Sequence, residues 1–255
     1  MLEFKNVSYG WDERHFLQNN LNLKFEERKI YVILGPNGCG KSTFIQLLQN
    51  RNVFYKGEIL LNQKNLNTFS VNQIARNLIC VGQNNDQCIN MKVLDFIVTG
   101  FYPYLNIFQS PADKHLNEAM RIMESLKIEE WSNRTIATLS GGEFKQVLLA
   151  RCLTGSRKII LLDELELALD YANQIKFTRT VRQLQESGKC IILISHNPNL
   201  ALALKSQVLM FGKDLPYLFG DSEGIVTREN LRKYFNIEVI ETCNEEHGLV
   251  QFVPQ

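Results

Sequence analysis

The 255-residue sequence lacks several features that mark whole classes of protein. No apolar run approaches the length needed to cross a bilayer, and the first residues lack the basic region and the apolar stretch of a signal peptide. The formal charge of +1 gives no strong attraction to nucleic acid or to acidic lipid. We therefore expect a cytoplasmic protein with no nucleic-acid partner.

The sequence also lacks paired cysteines. Its six cysteines are scattered, none forms a C-x-x-C pair, and several lie inside apolar segments. This distribution favours reduced, packed thiols over a disulfide or metal framework.

Short, wholly apolar runs predict strands that are buried on both faces of a parallel sheet. These runs lie at 30–34, 78–82, 159–162 and 191–195. Helix-like segments that can cover the sheet lie at 41–49, 171–186 and 199–205. Segments 2–9, 21–27 and 57–62 predict a small antiparallel sheet. The alternation of strands and helices predicts an α/β fold.

Residues 86–155 break this alternation. Two sets of apolar side chains recur there at helical spacing, one from Leu116 to Leu126 and one from Phe144 to Leu148, and Arg151 continues the spacing of the second set. We interpret this segment as a helical insertion whose methionines fill a core rather than form a binding face. The predicted organisation is a single domain, 1–255, with a core at 1–85 and 156–225, a helical subdomain at 86–155 and a tail at 226–255.

One motif carries most of the chemical information. A strand-like run is followed by the pattern G-x-x-x-x-G-K-S and then by a helix-like segment. In that context the glycines let backbone N–H groups turn inward, the lysine reaches phosphate oxygens and the serine hydroxyl can bind Mg²⁺. The predicted phosphate loop consists of Gly35, Pro36, Asn37, Gly38, Cys39, Gly40, Lys41, Ser42 and Thr43. The alternative is a glycine-rich turn without a ligand.

Two further motifs add polar groups to this site. A buried strand ends in Asp163 and Glu164, where ligands of open parallel sheets bind. Asp163 can hold Mg²⁺ and Glu164 can polarise an attacking water, whereas the alternative is a solvated acidic turn. The second motif, Leu-Ser-Gly-Gly-Glu at 139–143, offers backbone donors and the Ser140 hydroxyl at the start of a helix. Its alternative is a serine-capped helix.

Together with Ser195-His196, these motifs resemble the ATPase subunit of ATP-binding cassette (ABC) transporters over about residues 2–235. The resemblance implies a P-loop NTPase core with a mostly parallel sheet, an N-terminal antiparallel β subdomain and an inserted helical subdomain. It also implies a Mg²⁺-dependent ATPase.

The resemblance assigns roles to individual residues. Glu164, His196 and Gln83 are expected to be catalytic, and Ser42, Gln83 and Asp163 are expected to hold Mg²⁺. Besides the phosphate loop, the expected ATP contacts are Tyr9, which would stack on adenine or instead pack on the sheet, and Ser140, Gly141, Gly142, Glu143 and Asp170.

The sequence departs from the family pattern at several positions. Leu165-Glu166 stands where Pro-Thr is expected, Leu167 replaces a serine or asparagine, and Asn197 replaces an aspartate. After the signature, Phe144-Lys145-Gln146 replaces a more polar, usually arginine-bearing run. These changes bear on loop geometry and on coupling between subunits.

In the family that the sequence resembles, a nucleotide is clamped between the phosphate loop of one subunit and the signature of another. One of each per chain then implies head-to-tail pairing with a second copy or a relative, in a dimer that encloses two ATP molecules. A separate polytopic permease would then form the channel, with this chain peripheral on the cytoplasmic face of the membrane and a substrate-binding protein acting indirectly. Segment 95–104 and the tail 227–239 resemble ATPases that serve iron–siderophore, haem and cobalamin uptake, although Phe101 replaces an arginine. The alternatives are a soluble ABC ATPase in cofactor or iron–sulfur assembly and an ATP-binding regulator without turnover.

Overall fold

The computed structural model describes residues 1–49, 53–82, 90–106, 108–167, 169, 171–244 and 249–254. The strands are β1 Leu2–Gly10, β2 Phe16–Phe25, β3 Ile30–Leu34, β4 Phe54–Leu61, β5 Lys64–Asn65, β6 Leu78–Val81, β7 Ile159–Asp163, β8 Cys190–Ile194, β9 Gln207–Met210, β10 Leu218–Asp221, β11 Val239–Asn244 and β12 Leu249–Pro254. The helices are α1 Lys41–Leu48, α2 Val71–Asn77, α3 Val93–Val98, α4 Asp113–Ser125, α5 Gly141–Leu153, α6 Tyr171–Glu186, α7 Pro198–Leu204, α8 Ser222–Ile225 and α9 Arg228–Phe235. Short 3-10 helices lie at Leu66–Thr68, Thr99–Tyr104, Glu129–Trp131 and Ile136–Thr138.

The main sheet has six strands in the order β10-β9-β3-β8-β7-β6. Strands β9, β3, β8, β7 and β6 run parallel, and β10 adds an antiparallel edge. Every residue of β3 and β8 is buried, as their uninterrupted apolar sequences require. The predicted α/β fold with a mostly parallel sheet is confirmed.

The two faces of this sheet belong to two separate hydrophobic cores. Alternate side chains such as Val32 and Ile160 face a core that includes the helices of the insertion. Their neighbours Tyr31 and Leu161 face a second core, shared with α1 and the antiparallel sheet. The turn from β3 to α1 therefore lies where the two sheets pack together.

The N-terminal antiparallel sheet has the order β2-β1-β4-β5. Its three longer strands are the ones predicted from the alternating segments. Strand β1 pairs with β2 and with β4, and both pairings contain register shifts between Phe4 and Gly10. These irregularities lie at the end of β1 that approaches the phosphate loop.

Helices α3, α4 and α5 confirm the predicted helical character of the segment before residue 155. Met123 is fully buried and Met120 packs against the same core, as predicted for filler methionines. Arg157 connects the end of α5 to α2 and to the Thr99–Tyr104 helix: it is 2% exposed and donates hydrogen bonds to the carbonyl groups of Ala75, Gly100 and Thr154. The subdomain boundaries themselves stay a prediction.

The C-terminal region contains strands that the sequence did not predict. Strands β9 and β10 extend the main sheet, and β11 and β12 form a hairpin. Asn199 on α7 holds that hairpin through reciprocal hydrogen bonds of 2.9 and 2.8 Å with the backbone of Phe252. The amphipathic segment predicted at 228–235 is α9. None of the helices in the described part of the chain has the length and apolar character to span a bilayer.

Candidate functional site

The phosphate loop joins the end of β3 to the start of α1. Gly38 and Gly40 have φ angles of 81° and 104°, a region that side chains other than glycine rarely adopt. The loop is held from behind, because Tyr9 Oη donates to the Gly40 carbonyl over 3.1 Å and Gln18 Nε2 donates to the Cys39 carbonyl over 3.0 Å. These contacts leave Asn37 and Gly38 exposed at the tip of the loop.

Lys41 is the first residue of α1 and its side chain is only 6% exposed. Its Nζ atom donates to the carbonyl oxygens of Gly35 and Pro36 over 2.7 and 2.9 Å, so the ammonium group lies inside the loop. Burial lowers the pKa of Lys41, while the charges of Cys39, Glu164 and Asp163 raise it. The loop thus holds a cation beside two carboxylates.

Asp163 ends β7 and Glu164 follows it at once, as the sequence predicted. Burial, followed by the charge of Glu164, raises the pKa of Asp163 to about 6. Gly82, at the end of neighbouring β6, lies against this carboxyl group: a Cβ atom there would be 3.4 Å from Asp163 Oδ2. The missing side chain leaves room beside Asp163.

Glu164 and His196 form a close pair, with 2.6 Å between Glu164 Oε1 and His196 Nε2. Glu164 has a φ of 53°, a backbone conformation that is strained for this residue type. A hydrogen bond from its backbone N–H to the Ile194 carbonyl holds the residue in this conformation. The adjacent strands β7 and β8 therefore bring the two predicted catalytic side chains together.

Ser140 is the N-cap of α5 and forms a reciprocal capping box with Glu143. Glu143 also binds Arg134 over 2.7 Å, and Arg134 and then the Ser140 backbone lower the pKa of Glu143 to about 2. The serine-capped helix, which is the alternative interpretation of this motif, is therefore present in the fold. Ser140 and Gly141 remain exposed at the helix N-terminus, so capping is compatible with anion binding there.

The prediction that Tyr9 stacks on adenine is wrong. Tyr9 is 0% exposed, and its ring packs against Phe44 and Phe211, with centroid distances of 6.0 and 6.4 Å. The alternative, that Tyr9 packs on the sheet, is the observed one. Its hydroxyl supports the phosphate loop from behind instead of contacting a base.

Comparison with known proteins decides the family. A sequence model described as "ABC transporter" matches residues 18–166, more than half of the chain. The chain belongs to the ABC transporter family. The matched segment contains the phosphate loop, the signature and the Asp163-Glu164 strand end.

Curated ABC relatives match along nearly the whole chain. An uncharacterised ABC transporter ATP-binding protein of Haemophilus influenzae is 30% identical over 92% of this chain and 89% of its own length. The molybdate import ATP-binding protein MolC of the same organism is 28% identical over 99% and 96%. The iron(3+)-hydroxamate import ATP-binding protein FhuC of Bacillus subtilis is 26% identical over 93% and 88%.

A solved structure described as "An inward-facing conformation of a putative metal-chelate type ABC transporter" has a similar fold. The TM-score is 0.86 at 28% identity, over 100% of this chain and 97% of the solved chain. The match therefore includes the C-terminal hairpin that sequence patterns missed.

Trp11 is an aromatic residue beside the site that sequence reasoning missed. It follows β1 directly, two residues after Tyr9, and its side chain is 71% exposed. Its backbone N–H donates to the His15 carbonyl over 3.1 Å, which closes the turn between β1 and β2. Tyr9 and Trp11 are two residues apart, so along a continuous strand they would face the same side. Trp11 lies beyond the end of β1, and of the two aromatic side chains it is the one that reaches solvent.

Two expected site residues, Gln83 and Asp170, lie outside the described residues. The other expected residues divide into those at the phosphate loop, those at the ends of β7 and β8, and those at the start of α5. The fold brings the first two groups together and leaves the third on the helical insertion.

Because folding raises the pKa of Asp163, its charge costs stability at pH values above about 6 and costs nothing once the pH falls below the value of about 4 for an unfolded aspartate. We expect Asp163→Asn to raise the free energy of unfolding at pH 8 by about 1–2 kcal/mol after allowance for solvent screening. Urea denaturation of the nucleotide-free protein should show this gain shrink as the pH falls from 6 towards 4. Glu118→Gln, at an exposed position on α4, is the control and should show no such trend. A loss of stability at pH 8, or a gain that is the same at every pH, would contradict the assignment.

Proposed function

We propose that this chain is the Mg²⁺-dependent ATPase subunit that powers import of a metal chelate through a separate membrane permease. The observation that carries the proposal is the position of Lys41, whose buried ammonium group is held inside the phosphate loop by the Gly35 and Pro36 carbonyl groups. The charges of Glu164 and Asp163 raise its pKa, and Glu164 pairs with His196. Membership of the ABC transporter family supports ATP as the ligand.

Binding of ATP exchanges the internal partners of Lys41. Its two carbonyl contacts are replaced by oxygens of the β- and γ-phosphates, while the backbone N–H groups of the loop and the start of α1 contact the same phosphates. Because the lysine is already buried, little further desolvation is needed when the phosphates arrive.

The residues present fit a magnesium ion. The exposed Ser42 hydroxyl and the Asp163 carboxylate are hard oxygen donors, and the space beside Gly82 leaves Asp163 accessible. Bound Mg²⁺ would neutralise charge on the phosphates. Asp163 must be ionised to serve as a ligand, and the charge of a bound cation would favour the ionised carboxylate.

Glu164 accepts a hydrogen bond from the attacking water and increases its nucleophilicity. His196, which pairs with Glu164, fixes the carboxylate and contacts the γ-phosphate. The strained backbone at Glu164 favours this role, because such conformations persist where the surrounding structure imposes them.

The site of one chain lacks the groups of the signature, which lie at the start of α5. We propose that a second copy supplies them, so that Ser140 of each chain seals the nucleotide at the phosphate loop of the other. ATP then acts as the link between the chains, and loss of the γ-phosphate releases them.

We expect Glu164→Gln to bind ATP, to hydrolyse it at least about 100-fold more slowly, and to accumulate as a closed dimer. Size-exclusion chromatography with ATP and Mg²⁺ should show twice the mass of the chain. Adding Ser140→Arg to this variant should abolish the dimer but leave nucleotide binding by the single chain intact. A Glu164→Gln protein that stays monomeric, or that hydrolyses ATP at the normal rate, would refute the two-chain site.

We further propose that Trp11 provides the stacking surface for adenine. Its exposed ring lies at the end of β1, and the neighbouring residue Tyr9 contacts the phosphate loop at Gly40. Stacking on a flat π-face favours an aromatic base without demanding one particular base.

Trp11→Ala should raise the Kd for ATP by about 5- to 30-fold and leave kcat at saturating ATP nearly unchanged, because stacking contributes binding and not chemistry. Trp11→Tyr should restore most of the affinity. In a Trp131→Phe background Trp11 is the one remaining tryptophan, so its fluorescence should change as ATP binds. Fluorescence that is insensitive to ATP would place adenine elsewhere.

The permease needs a docking surface, and a groove between α2, β6 and the Thr99–Tyr104 helix is the best candidate. Its volume is about 360 Å³, and Val71 and Tyr102 on its lining are 75% and 55% exposed. Arg151 also lines this groove, and its buried Nε atom has no hydrogen-bond partner in the described structure. The exposed apolar surface of this groove suits a short helix of another protein.

The relatives support import as the process that this ATPase drives, and the metal-chelate transporter supports the class of cargo. In the proposed transporter, the permease and an external binding protein recognise the cargo, and this chain does not. A soluble assembly factor, the alternative from sequence, would purify without a polytopic membrane protein.

A further inference from the structure

Glu166 is a buried carboxyl group to which the proposed reaction gives no role. Its side chain follows Glu164 by two residues and is 7% exposed. Neither of its oxygens has a hydrogen bond of normal geometry among the residues that the structure describes, although the nearby Ser195 hydroxyl lowers its pKa. A buried carboxylate without a compensating charge is costly, so an opposite charge is expected close by.

Lys145 on α5 supplies that charge. The side chain is half-buried, and its Nζ atom donates a hydrogen bond to the carbonyl oxygen of Leu167, the residue after Glu166. Burial lowers the pKa of Lys145 and Glu166 raises it; burial raises the pKa of Glu166, and Lys145 is among the groups that lower it. Each side chain thus moderates the cost of burying the other.

These two residues lie between two parts of the proposed site. On one side, Lys145 is five residues after Ser140 on the same helix. On the other, Glu166 lies near Ser195, which precedes His196, the partner of Glu164. A displacement of α5 therefore acts on the segment that follows β7 and on the end of β8.

We propose that Lys145 and Glu166 are positioning residues that tie the signature helix to the Glu164–His196 pair. When Ser140 engages the nucleotide held by the other chain, this link transmits the movement of α5 to the hydrolytic groups of its own chain. The inference rests on the proposed ATPase function. Both residues occupy positions where the sequence departs from the family pattern, and an interaction between their charges would account for the two departures together.

A double-mutant cycle tests the link. Lys145→Met leaves a buried, unpaired carboxylate, so we expect kcat for ATP hydrolysis to fall about tenfold with KM for ATP changed by less than about twofold. Glu166→Gln alone removes the buried negative charge and should lower kcat less than Lys145→Met does. In the double variant Lys145→Met/Glu166→Gln, kcat should recover to within about threefold of the wild-type value, because both charges are removed and no buried charge is left unpaired.

Two control variants separate positioning from a general effect of charge. Lys145→Arg keeps the cation and should retain nearly normal kcat. Lys176→Met removes an exposed lysine from α6 that lines the same cavity as Lys145, and it should behave as the wild type. If the two single effects multiply in the double variant, or if Lys145→Met has normal kcat, the link does not exist.

Urea unfolding of the same variants measures the coupling between Lys145 and Glu166 without requiring ATP hydrolysis. Lys145→Met should be destabilised, and Glu166→Gln should restore its stability, even if Lys145→Met alone fails to fold. Independent effects on stability would overturn the pairing of these charges. A wild-type protein that does not hydrolyse ATP would instead refute the proposed function and leave the stability cycle as the test of the pair.

Discussion

The burial of one positive charge at the turn from β3 to α1 is the constraint on which the rest of the site depends. Lys41 is held by two backbone carbonyl groups and is balanced by the carboxyl groups of Asp163 and Glu164 from the neighbouring part of the sheet. A buried ammonium group is tolerated only with such compensation. Lys41 in turn lowers the pKa of Asp163, although burial and the charge of Glu164 raise it more.

The fold creates this cluster by packing three elements around one turn. The parallel sheet brings the ends of β3, β7 and β8 to one edge, where ligands of such sheets bind. The antiparallel sheet supports the loop from behind through Tyr9 and Gln18. The helical insertion carries Ser140 at the start of α5, and in the proposed dimer this residue would complete the site of the other chain.

Sequence patterns predicted the parallel strands, the antiparallel sheet and the phosphate loop because each is local: an apolar run, an alternation or a glycine spacing. They failed where tertiary packing decides. Tyr9 was assigned to adenine because aromatic identity alone does not reveal that the end of β1 is buried, and the exposed residue is Trp11. Glu166 looked like a departure from a pattern, and only the packed structure shows that Lys145 contacts the carbonyl group of the next residue, Leu167.

The most direct measurement is calorimetric titration of ATP and Mg²⁺ into the isolated chain and into its Lys41→Met variant. The account predicts one ATP per chain and a loss of about 10- to 100-fold in affinity when the ammonium group is removed, since a hydrogen bond to a charged group is lost at each phosphate contact. Lys29→Met, at an exposed surface lysine, should bind as the wild type does. Equal affinity of Lys41→Met and wild type for ATP would contradict the assignment of this loop as the nucleotide site.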